Sequence, residues 1–202
     1  MTSRAFGVSF VGMLENRRLF LGRDAILRRV AELAVELKAF CSGGNCTVVW
    51  LEKGAGPFAR DFLAALGPGV ECVPLRASSY GGGTDSSGTV DISGDFGRIR
   101  PGRVVLLDDI LDTGLTAAAV CGRLQSLGFS EIRTCFLLEK KARRLNGFAP
   151  DHVGFEVPDV FVFGYGMDID GDMRGLPGIY FLEDGAALEA PQPAGKNFSD
   201  IK

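Results

Sequence analysis

The chain has 202 residues, 46% of them hydrophobic and 23% charged, with a formal net charge of -3 at pH 7. This is the composition of a globular domain, and the length suits one domain with at most a small appendage. Binding to nucleic acid without regard to sequence depends on cationic side chains that neutralise phosphates, so the excess of acids argues against it. We therefore expect no nucleic-acid partner.

The sequence also argues against a membrane protein and against a disulfide or zinc framework. No apolar run approaches the roughly 18 residues that a membrane-spanning helix needs, and charges interrupt the N-terminal segment. We therefore expect a cytoplasmic protein with no membrane partner. The five cysteines form no Cys-x-x-Cys pair, and we interpret them as small buried apolar residues.

The first half of the chain predicts two helices and two strands. Apolar residues recur at helical spacing over 23–41, and an apolar run predicts a buried strand at 47–51. A second helix is predicted within 58–67 and a second strand at 70–78. The segment 79–95 is rich in Gly and Ser and almost free of large apolar residues, which is typical of a loop.

The second half continues the alternation of strands and helices. Strands are predicted at 103–109, 131–140 and 160–168, and a helix at 113–128 that ends at Gly128. Several strands are continuously apolar, as expected where helices cover both faces of a sheet.

These elements predict an α/β fold with a doubly wound, mainly parallel sheet flanked by helices. We expect a single domain over residues 1–188 and a disordered tail over 189–202. Sites in such folds lie beyond the carboxyl ends of the strands. The polar groups at these ends are Lys53-Gly54, Asp108-Asp109, Lys140 and the segment 164–168.

The stretch VVLLDDILDTGLTAAAV (104–120) combines acids with a potential anion site. Asp112 or Thr113 would cap the helix, and the free amides of the first turn, together with the hydroxyls of Thr113 and Thr116, favour a bound phosphate. A cap needs only one acid, and Asp108 and Asp109 would repel a phosphate. Both acids suit sugar hydroxyls or a divalent cation instead. Phosphoribosyl pyrophosphate (PRPP) satisfies all of these requirements.

This stretch resembles the PRPP signature of the type I phosphoribosyltransferases, with four apolar residues, two acids, two apolar residues and Asp-Thr-Gly. No P-loop of the form GxxxxGK[ST] occurs. The segments 50–66, 78–80 and 150–177 resemble hypoxanthine-guanine phosphoribosyltransferases in particular. The resemblance covers residues 25 to 184 and implies the type I phosphoribosyltransferase fold, with a small hood formed by the chain ends.

The resemblance assigns the pyrophosphate and ribose contacts. Lys53 and Gly54 correspond to the loop that cradles pyrophosphate, where the family often has a non-proline cis peptide. Asp108 and Asp109 correspond to the acids on the ribose and metal side; the first is more often Glu in the family, so the shorter Asp108 is expected to act through water. Arg174 corresponds to an arginine that grips pyrophosphate as a planar fork.

The helix start is assigned in the same way. Thr113, Gly114, Leu115 and Thr116 correspond to the loop that binds the 5′-phosphate. Many relatives carry a charged residue in place of Leu115, but a site that depends on backbone amides tolerates the change. Asp112 corresponds to the catalytic residue near N7 of the purine, where it accepts or donates a proton.

The purine contacts implied by the resemblance lie in the second half. Lys140 corresponds to a lysine that donates to the oxygen at C6, which favours hypoxanthine and guanine over adenine. Phe161 corresponds to an aromatic residue that stacks on the base, and Val162 to a backbone contact with the base edge. Asp168 corresponds to a second acid near magnesium and near the pyrophosphate or the base.

Three other polar residues are predicted to lie outside the chemistry. We interpret Lys141 and Arg143 as solvated residues of a basic turn. His152 lies in a predicted loop, matches no catalytic position and is interpreted as structural. In contrast, Ser79 and Tyr80 resemble the start of the family's mobile loop, so the segment 79–95 is expected to close over the site and exclude water.

The implied activity is transfer of the 5-phosphoribosyl group from PRPP to a 6-oxopurine in purine salvage, with Mg²⁺ as cofactor. The family commonly forms dimers or tetramers, so we expect a homodimer or homotetramer. Two alternatives stay open: a regulatory nucleotide-binding protein of the same fold without catalysis, and a phosphoribosyltransferase for xanthine or another base. The choice among hypoxanthine, guanine and xanthine depends on the shape of the pocket.

Overall fold

A computed structural model of the chain describes residues 17–79, 90–169, 171–182 and 192–194. The helices within these residues are α1 (Arg23–Ser42), α2 (Gly56–Leu66) and α3 (Leu115–Ser126). The strands are β1 (Arg17–Leu21), β2 (Cys46–Glu52), β3 (Glu71–Ser79), β4 (Val90–Gly94), β5 (Arg103–Leu111), β6 (Glu131–Glu139), β7 (His152–Glu156), β8 (Val162–Phe163), β9 (Ile179–Leu182) and β10 (Gln192–Pro193).

The main sheet contains seven strands in the order β10-β7-β6-β5-β2-β3-β4. The five inner strands run parallel to their neighbours, and β10 and β4 pair antiparallel at the two edges. Residues from α1 and α2 pack with one face of the sheet, and residues from α3 pack with the other. The predicted α/β fold with a doubly wound, mainly parallel sheet is therefore confirmed.

The continuous apolar runs are explained by this two-sided burial. In β5, Val105 and Leu107 belong to the core layer under α1 and α2, whereas Val104 and Leu106 belong to the layer under α3. All four residues are fully buried. Successive side chains of a strand point to opposite faces, so both faces need apolar residues.

A second, smaller sheet pairs the two ends of the described chain. Its order is β1-β9-β8, and both pairs are antiparallel. This sheet is the small hood that the resemblance implied. The predicted strand at 160–168 is correct only for Val162–Phe163, because the chain turns at Gly164 and Gly166, which both have positive φ. The strands β1 and β9 were not predicted.

Part of the segment 79–95, which was predicted to be a loop, is a strand. Ser79 pairs with Val90 and Leu75 pairs with Gly94, so the end of β3 and all of β4 form an antiparallel pair. Residues 80–89, including Tyr80, lie outside the described residues. The prediction of a loop was therefore wrong for Val90–Gly94.

The segment 189–202, expected to be disordered, includes three described residues, and for these three the expectation does not hold. Gln192 and Pro193 pair with β7, and the amide of Ala194 donates to the carbonyl oxygen of Gly154. Arg29 of α1, which is 6% exposed, donates to the carbonyl oxygens of Gly154 and Ala194 at 3.0 and 2.6 Å. A buried guanidinium thus holds this short strand against the sheet.

The interpretation of the cysteines as small buried residues holds in full for three of the five. All five cysteines are free; Cys41, Cys46 and Cys135 are buried, and Cys72 and Cys121 are partly buried. Among the described residues, no helix combines the length and apolar character needed to cross a bilayer.

Candidate active site

A cavity of about 380 Å³ opens at the carboxyl ends of β2, β5 and β6. We call it the site cavity. It is lined by Lys53, Gly54, Asp109, Ile110, Asp112, Lys140, Arg143, Phe161, Val162, Met167, Asp168 and Arg174. Nine of these twelve are residues that the sequence singled out. The parallel strands all end at one edge, which is why residues distant in sequence meet here.

Asp112 follows β5 directly and forms one wall of the cavity. Its Oδ1 atom is buried and accepts no hydrogen bond within the described residues. Arg143 Nε lies 3.2 Å from this oxygen, so the guanidinium balances the negative charge of the carboxylate. The geometry of this contact is not that of a hydrogen bond. The Asp112 side chain as a whole is 34% exposed and lines the cavity, so its other oxygen is the acceptor that an N–H group of a ligand can reach.

Lys140 follows β6 and lies beside Asp112. Its backbone amide donates to the carbonyl oxygen of Leu111 at 2.9 Å, which fixes the two strand ends side by side. The residue is 6% exposed, and burial lowers the pKa of its ammonium group, although Asp112 and Asp159 partly oppose the shift. A buried ammonium with spare N–H donors suits a ligand oxygen in the cavity.

An apolar wall completes this half of the cavity. Val162 and Met167 are buried, whereas Phe161 is 52% exposed and lines the cavity. An exposed aromatic ring beside a polar edge is suited to stack on a flat heterocycle.

The opposite half begins at the turn after β2, where Glu52 and Lys53 are joined by a cis peptide bond. This bond immediately precedes the Lys53–Gly54 pair, for which the sequence left the geometry open. A Cβ atom on Gly54 would overlap with Oδ2 of Asp109, and one on Gly166 would overlap with the carbonyl oxygen of Gly54. Glycine at both positions permits this close approach of three chain segments.

The acids at the end of β5 differ in placement. Asp109 lines the cavity, but Asp108 does not, because neighbouring side chains of a strand point in opposite directions. Asp108 Oδ1 accepts from the amide of Asp109 at 3.0 Å, and Asp109 Oδ1 accepts from the amide of Ile110 at 2.9 Å. Loss of solvent, followed by the charge of Asp109, raises the pKa of Asp108 well above its usual value. Loss of solvent also raises the pKa of Asp109, although hydrogen bonds and Arg174 oppose the rise.

Arg174 and Asp168 form an ion pair on the same side of the cavity. Arg174 Nη2 lies 2.6 Å from Asp168 Oδ1, and Nη1 donates to the carbonyl oxygen of Gly166 at 2.8 Å. The other Asp168 oxygen accepts from the amide of Gly171 at 2.7 Å. These bonds hold the guanidinium in place, with its remaining donors available to an anion.

The carboxylates of Asp109 and Asp168 are the acids on this wall that could hold a divalent cation. The described residues contain no group of three or more His, Cys, Asp or Glu side chains placed to bind one metal ion. Two hard oxygen donors fit Mg²⁺, which commonly takes one or two carboxylates and completes its shell with water and substrate phosphates.

The predicted phosphate loop follows Asp112 directly. The N-cap of α3 is Gly114, in the left-handed conformation with φ 84°. The predicted cap at Asp112 or Thr113 is therefore wrong about the capping residue, although the amide of Leu115 donates to Thr113 Oγ1 at 3.4 Å. The amides that follow in the first turn, including that of Thr116, have no partner within the helix. This arrangement favours an anion.

Three lining residues were missed: Ile110, Arg143 and Met167. Arg143 was interpreted as solvated, but a single 3₁₀ turn, Lys141–Arg143, returns its side chain to the cavity. The amide of Arg143 donates to the carbonyl oxygen of Lys140 at 3.3 Å in this turn. The position of Arg143, three residues after Lys140, was the only signal in the sequence that its side chain reaches the cavity. A run of basic residues does not show which of them points inward.

Lys141 and His152, which were also predicted to lie outside the chemistry, do not line the cavity. Lys141 is exposed and pairs with Glu156 on the surface. His152 is structural, with Nδ1 2.8 Å from Glu36 Oε2, but it begins β7 instead of lying in a loop. Of the predicted mobile-loop residues, Ser79 ends β3, and Tyr80 lies outside the described residues.

Comparison with known proteins agrees with this geometry. Residues 21–170 match the family described as the phosphoribosyl transferase domain. The chain is 43% identical over 169 residues to a hypoxanthine-guanine phosphoribosyltransferase of Aquifex aeolicus, covering 83% of this chain and 95% of the relative. It is 34% identical over 167 residues to the Bacillus subtilis protein of the same name, covering 82% and 93% of the two chains.

A solved structure supports the same relationship. The hypoxanthine phosphoribosyltransferase of Staphylococcus aureus superposes with a TM-score of 0.79 at 32% sequence identity, over 84% of this chain and 94% of that one. Sequence and fold agree over nearly the same part of the chain. The protein therefore belongs to the hypoxanthine-guanine phosphoribosyltransferase family of type I phosphoribosyltransferases.

Proposed function

We propose that the protein transfers the 5-phosphoribosyl group of PRPP to hypoxanthine or guanine in purine salvage, forming IMP or GMP and pyrophosphate. One observation carries the proposal. The partly exposed carboxylate of Asp112, the buried ammonium of Lys140 and the exposed ring of Phe161 surround one cavity, immediately before the start of α3.

The purine occupies the half of the cavity that Asp112, Lys140 and Phe161 line. Lys140 donates to the oxygen at C6, and Asp112 accepts the proton of the imidazole nitrogen N7. Phe161 stacks on one face of the base, while the backbone of Val162 contacts its edge. An adenine would present an amino group to Lys140, which has no acceptor to offer, so 6-oxopurines are preferred.

PRPP occupies the other half and the start of α3. The 5′-phosphate binds the amides of Thr113 to Thr116, including those of Gly114 and Leu115, where the helix dipole and the free N–H groups favour negative charge. Lys53 and Arg174 face the pyrophosphate and balance the charge that grows on it as the glycosidic bond breaks. The backbone of Gly54 allows the diphosphate to approach closely.

Asp109 and Asp168 are the residues that would hold Mg²⁺, with Asp108 behind them supporting the ribose side. The ion, when bound with PRPP, supplies positive charge to the phosphate oxygens. Arg174 orients Asp168 through its ion pair, and the amide of Ile110 orients Asp109. These contacts hold the carboxylates of Asp109 and Asp168 in fixed positions.

The reaction displaces pyrophosphate from the anomeric carbon by a purine nitrogen. Positive charge develops on the sugar in the transition state, and Asp112 removes the N7 proton as the new bond forms. The segment that begins with Ser79 and Tyr80 and ends before β4 closes over the site and keeps water from the reactive sugar.

Pyrophosphate release, measured with PRPP, Mg²⁺ and a panel of bases, tests the proposal. We expect turnover with hypoxanthine and guanine, and at least about 100-fold lower kcat/KM with adenine and uracil. Preferential use of xanthine would assign a different base. Specific PRPP or nucleotide binding without turnover of any base would instead favour the regulatory alternative. Light scattering of the same sample tests the proposed homodimer or homotetramer.

A further inference from the structure

Four charged side chains form a chain along the purine half of the site cavity. Arg143 Nε lies 3.2 Å from Asp112 Oδ1, and Arg143 Nη1 lies 3.7 Å from Asp159 Oδ1. The same Asp159 oxygen lies 3.9 Å from Lys140 Nζ. The order is therefore Asp112, Arg143, Asp159, Lys140, with alternating sign. This chain connects the two polar groups that face the base.

Arg143 balances the charge of Asp112 without using its hydrogen-bonding capacity. Asp112 Oδ1 is buried and accepts no hydrogen bond within the described residues, although the guanidinium is close to it. The guanidinium therefore lies against the buried oxygen of a side chain that is 34% exposed. This contact stabilises the carboxylate in its orientation and leaves its other oxygen to an incoming N–H group.

Asp159 provides the other support of Arg143. It lies two residues before Phe161, in the segment that carries the apolar wall, and it is shared with Lys140. Arg143 therefore ties the acceptor at the end of β5 to the segment that stacks on the base. Both contacts are made although the side chains of Arg143 and Asp159 are 47% and 52% exposed.

We propose that Arg143 is a positioning residue for the purine. It holds Asp112 directly and Lys140 through the shared Asp159, so that both side chains stay aligned with the edge of the base. The proposal rests on the function proposed above. It assigns to Arg143 an effect on the purine step alone, because the PRPP half of the cavity is lined by other residues.

The variant Arg143→Met removes the charge and keeps the length of the side chain, and Arg143→Lys keeps the charge. Lys141→Met is the matched control, because it removes a cation two positions away that pairs with Glu156 on the surface. We expect Arg143→Met to lower kcat/KM for hypoxanthine at least about tenfold, with KM for PRPP within about twofold of the parent. Arg143→Lys is expected to recover most of the loss, and Lys141→Met to match the parent.

A double-mutant cycle tests whether the effect passes through Asp112. In the Asp112→Asn background, Arg143→Met should change the residual kcat/KM for hypoxanthine by less than about twofold. Thermal unfolding of each variant accompanies the kinetics. If Arg143→Met fails to fold, Asp159→Asn replaces it, and the same selective loss on the purine side is expected.

The outcomes separate this inference from the proposed function. A parent protein that turns over hypoxanthine, with Arg143→Met equal to Lys141→Met, would overturn the role of Arg143 and leave the function intact. A rise in KM for PRPP as large as the rise in KM for hypoxanthine, or an additive effect in the cycle, would also overturn it. A parent protein without activity on any base would instead contradict the proposed function.

Discussion

Gly54 and Asp109 are in such close contact that a Cβ atom on residue 54 would overlap with the Asp109 carboxylate. The turn after β2 and the end of β5 therefore meet without a side chain between them. This contact belongs to the pyrophosphate half of the site cavity, whose lining also includes Lys53 and Arg174.

Replacing Gly54 with alanine is expected to displace Asp109 and to lower kcat/KM for PRPP about 100-fold, as a displacement of about 1 Å at a reacting centre does. Steady-state kinetics with PRPP varied would measure the loss. Gly56→Ala is the matched control, since its Cβ would make only an ordinary contact 3.5 Å from Trp50. Equal kinetics for the two variants would contradict the proposed geometry.

Replacing Asp112 with asparagine is expected to abolish most turnover, because the amide cannot take up the N7 proton. Binding of PRPP should change less than about tenfold, which is about 1.4 kcal/mol. Stopped-assay kinetics and calorimetric titration with PRPP would provide the two numbers. A variant with near-normal kcat would remove Asp112 from the mechanism.

Replacing Lys140 with methionine is expected to raise KM for guanine at least about tenfold and to leave KM for PRPP nearly unchanged. The reason is that the ammonium faces the base half of the cavity and the ring of Phe161, not the phosphate loop. Initial rates with each substrate varied in turn would separate the two constants. An unchanged KM for guanine would argue against this contact.

The same lysine predicts a pH dependence. Burial lowers the pKa of Lys140 below its usual value. The charged form is the donor to the base, so kcat/KM for hypoxanthine should decline as pH rises through this lowered pKa, earlier than for an ordinary lysine near about 10.4. The decline should be absent in Lys140→Met, which distinguishes it from ionisation of the base. The same decline in that variant would exclude Lys140 as its origin.

Replacing Gly114 with alanine is expected to raise KM for PRPP at least about tenfold, or about 1.4 kcal/mol. Residue 114 has φ 84°, which strains any residue with a Cβ, and this Cβ would overlap with Oδ1 of Asn146, so either the Asn146 side chain or the start of α3 has to shift. Gly122→Ala, in the same helix with open space around its Cβ, serves as control and should stabilise the protein by up to about 1 kcal/mol. Equal KM values for PRPP in the two variants would show that the phosphate binds elsewhere.

The central sheet was predictable because its signals are local. The apolar run Val104–Leu107, followed by acids and the start of a helix, identifies a buried parallel strand with polar groups at its carboxyl end. This can be done without knowing which strands pair with it. Local patterns did not predict the strands of the hood, because β1 pairs with β9 from far along the chain and neither strand has a distinctive pattern alone. Only the resemblance implied a hood. The inward turn of Arg143 was missed for a similar reason: one 3₁₀ turn decides it, and the basic run gives no preference.

The contact between Arg29 and Ala194 sets a boundary for shortening the chain. The guanidinium of Arg29 is 6% exposed and relies on the carbonyl oxygen of Ala194 as one of its acceptors. A protein ending before residue 192 would lose that acceptor and would also leave the outer edge of β7 bare. An unpaired edge recruits strands from other molecules. Trimming the C-terminus to aid crystallisation would therefore promote precipitation, whereas a cut placed beyond residue 194 spares this contact.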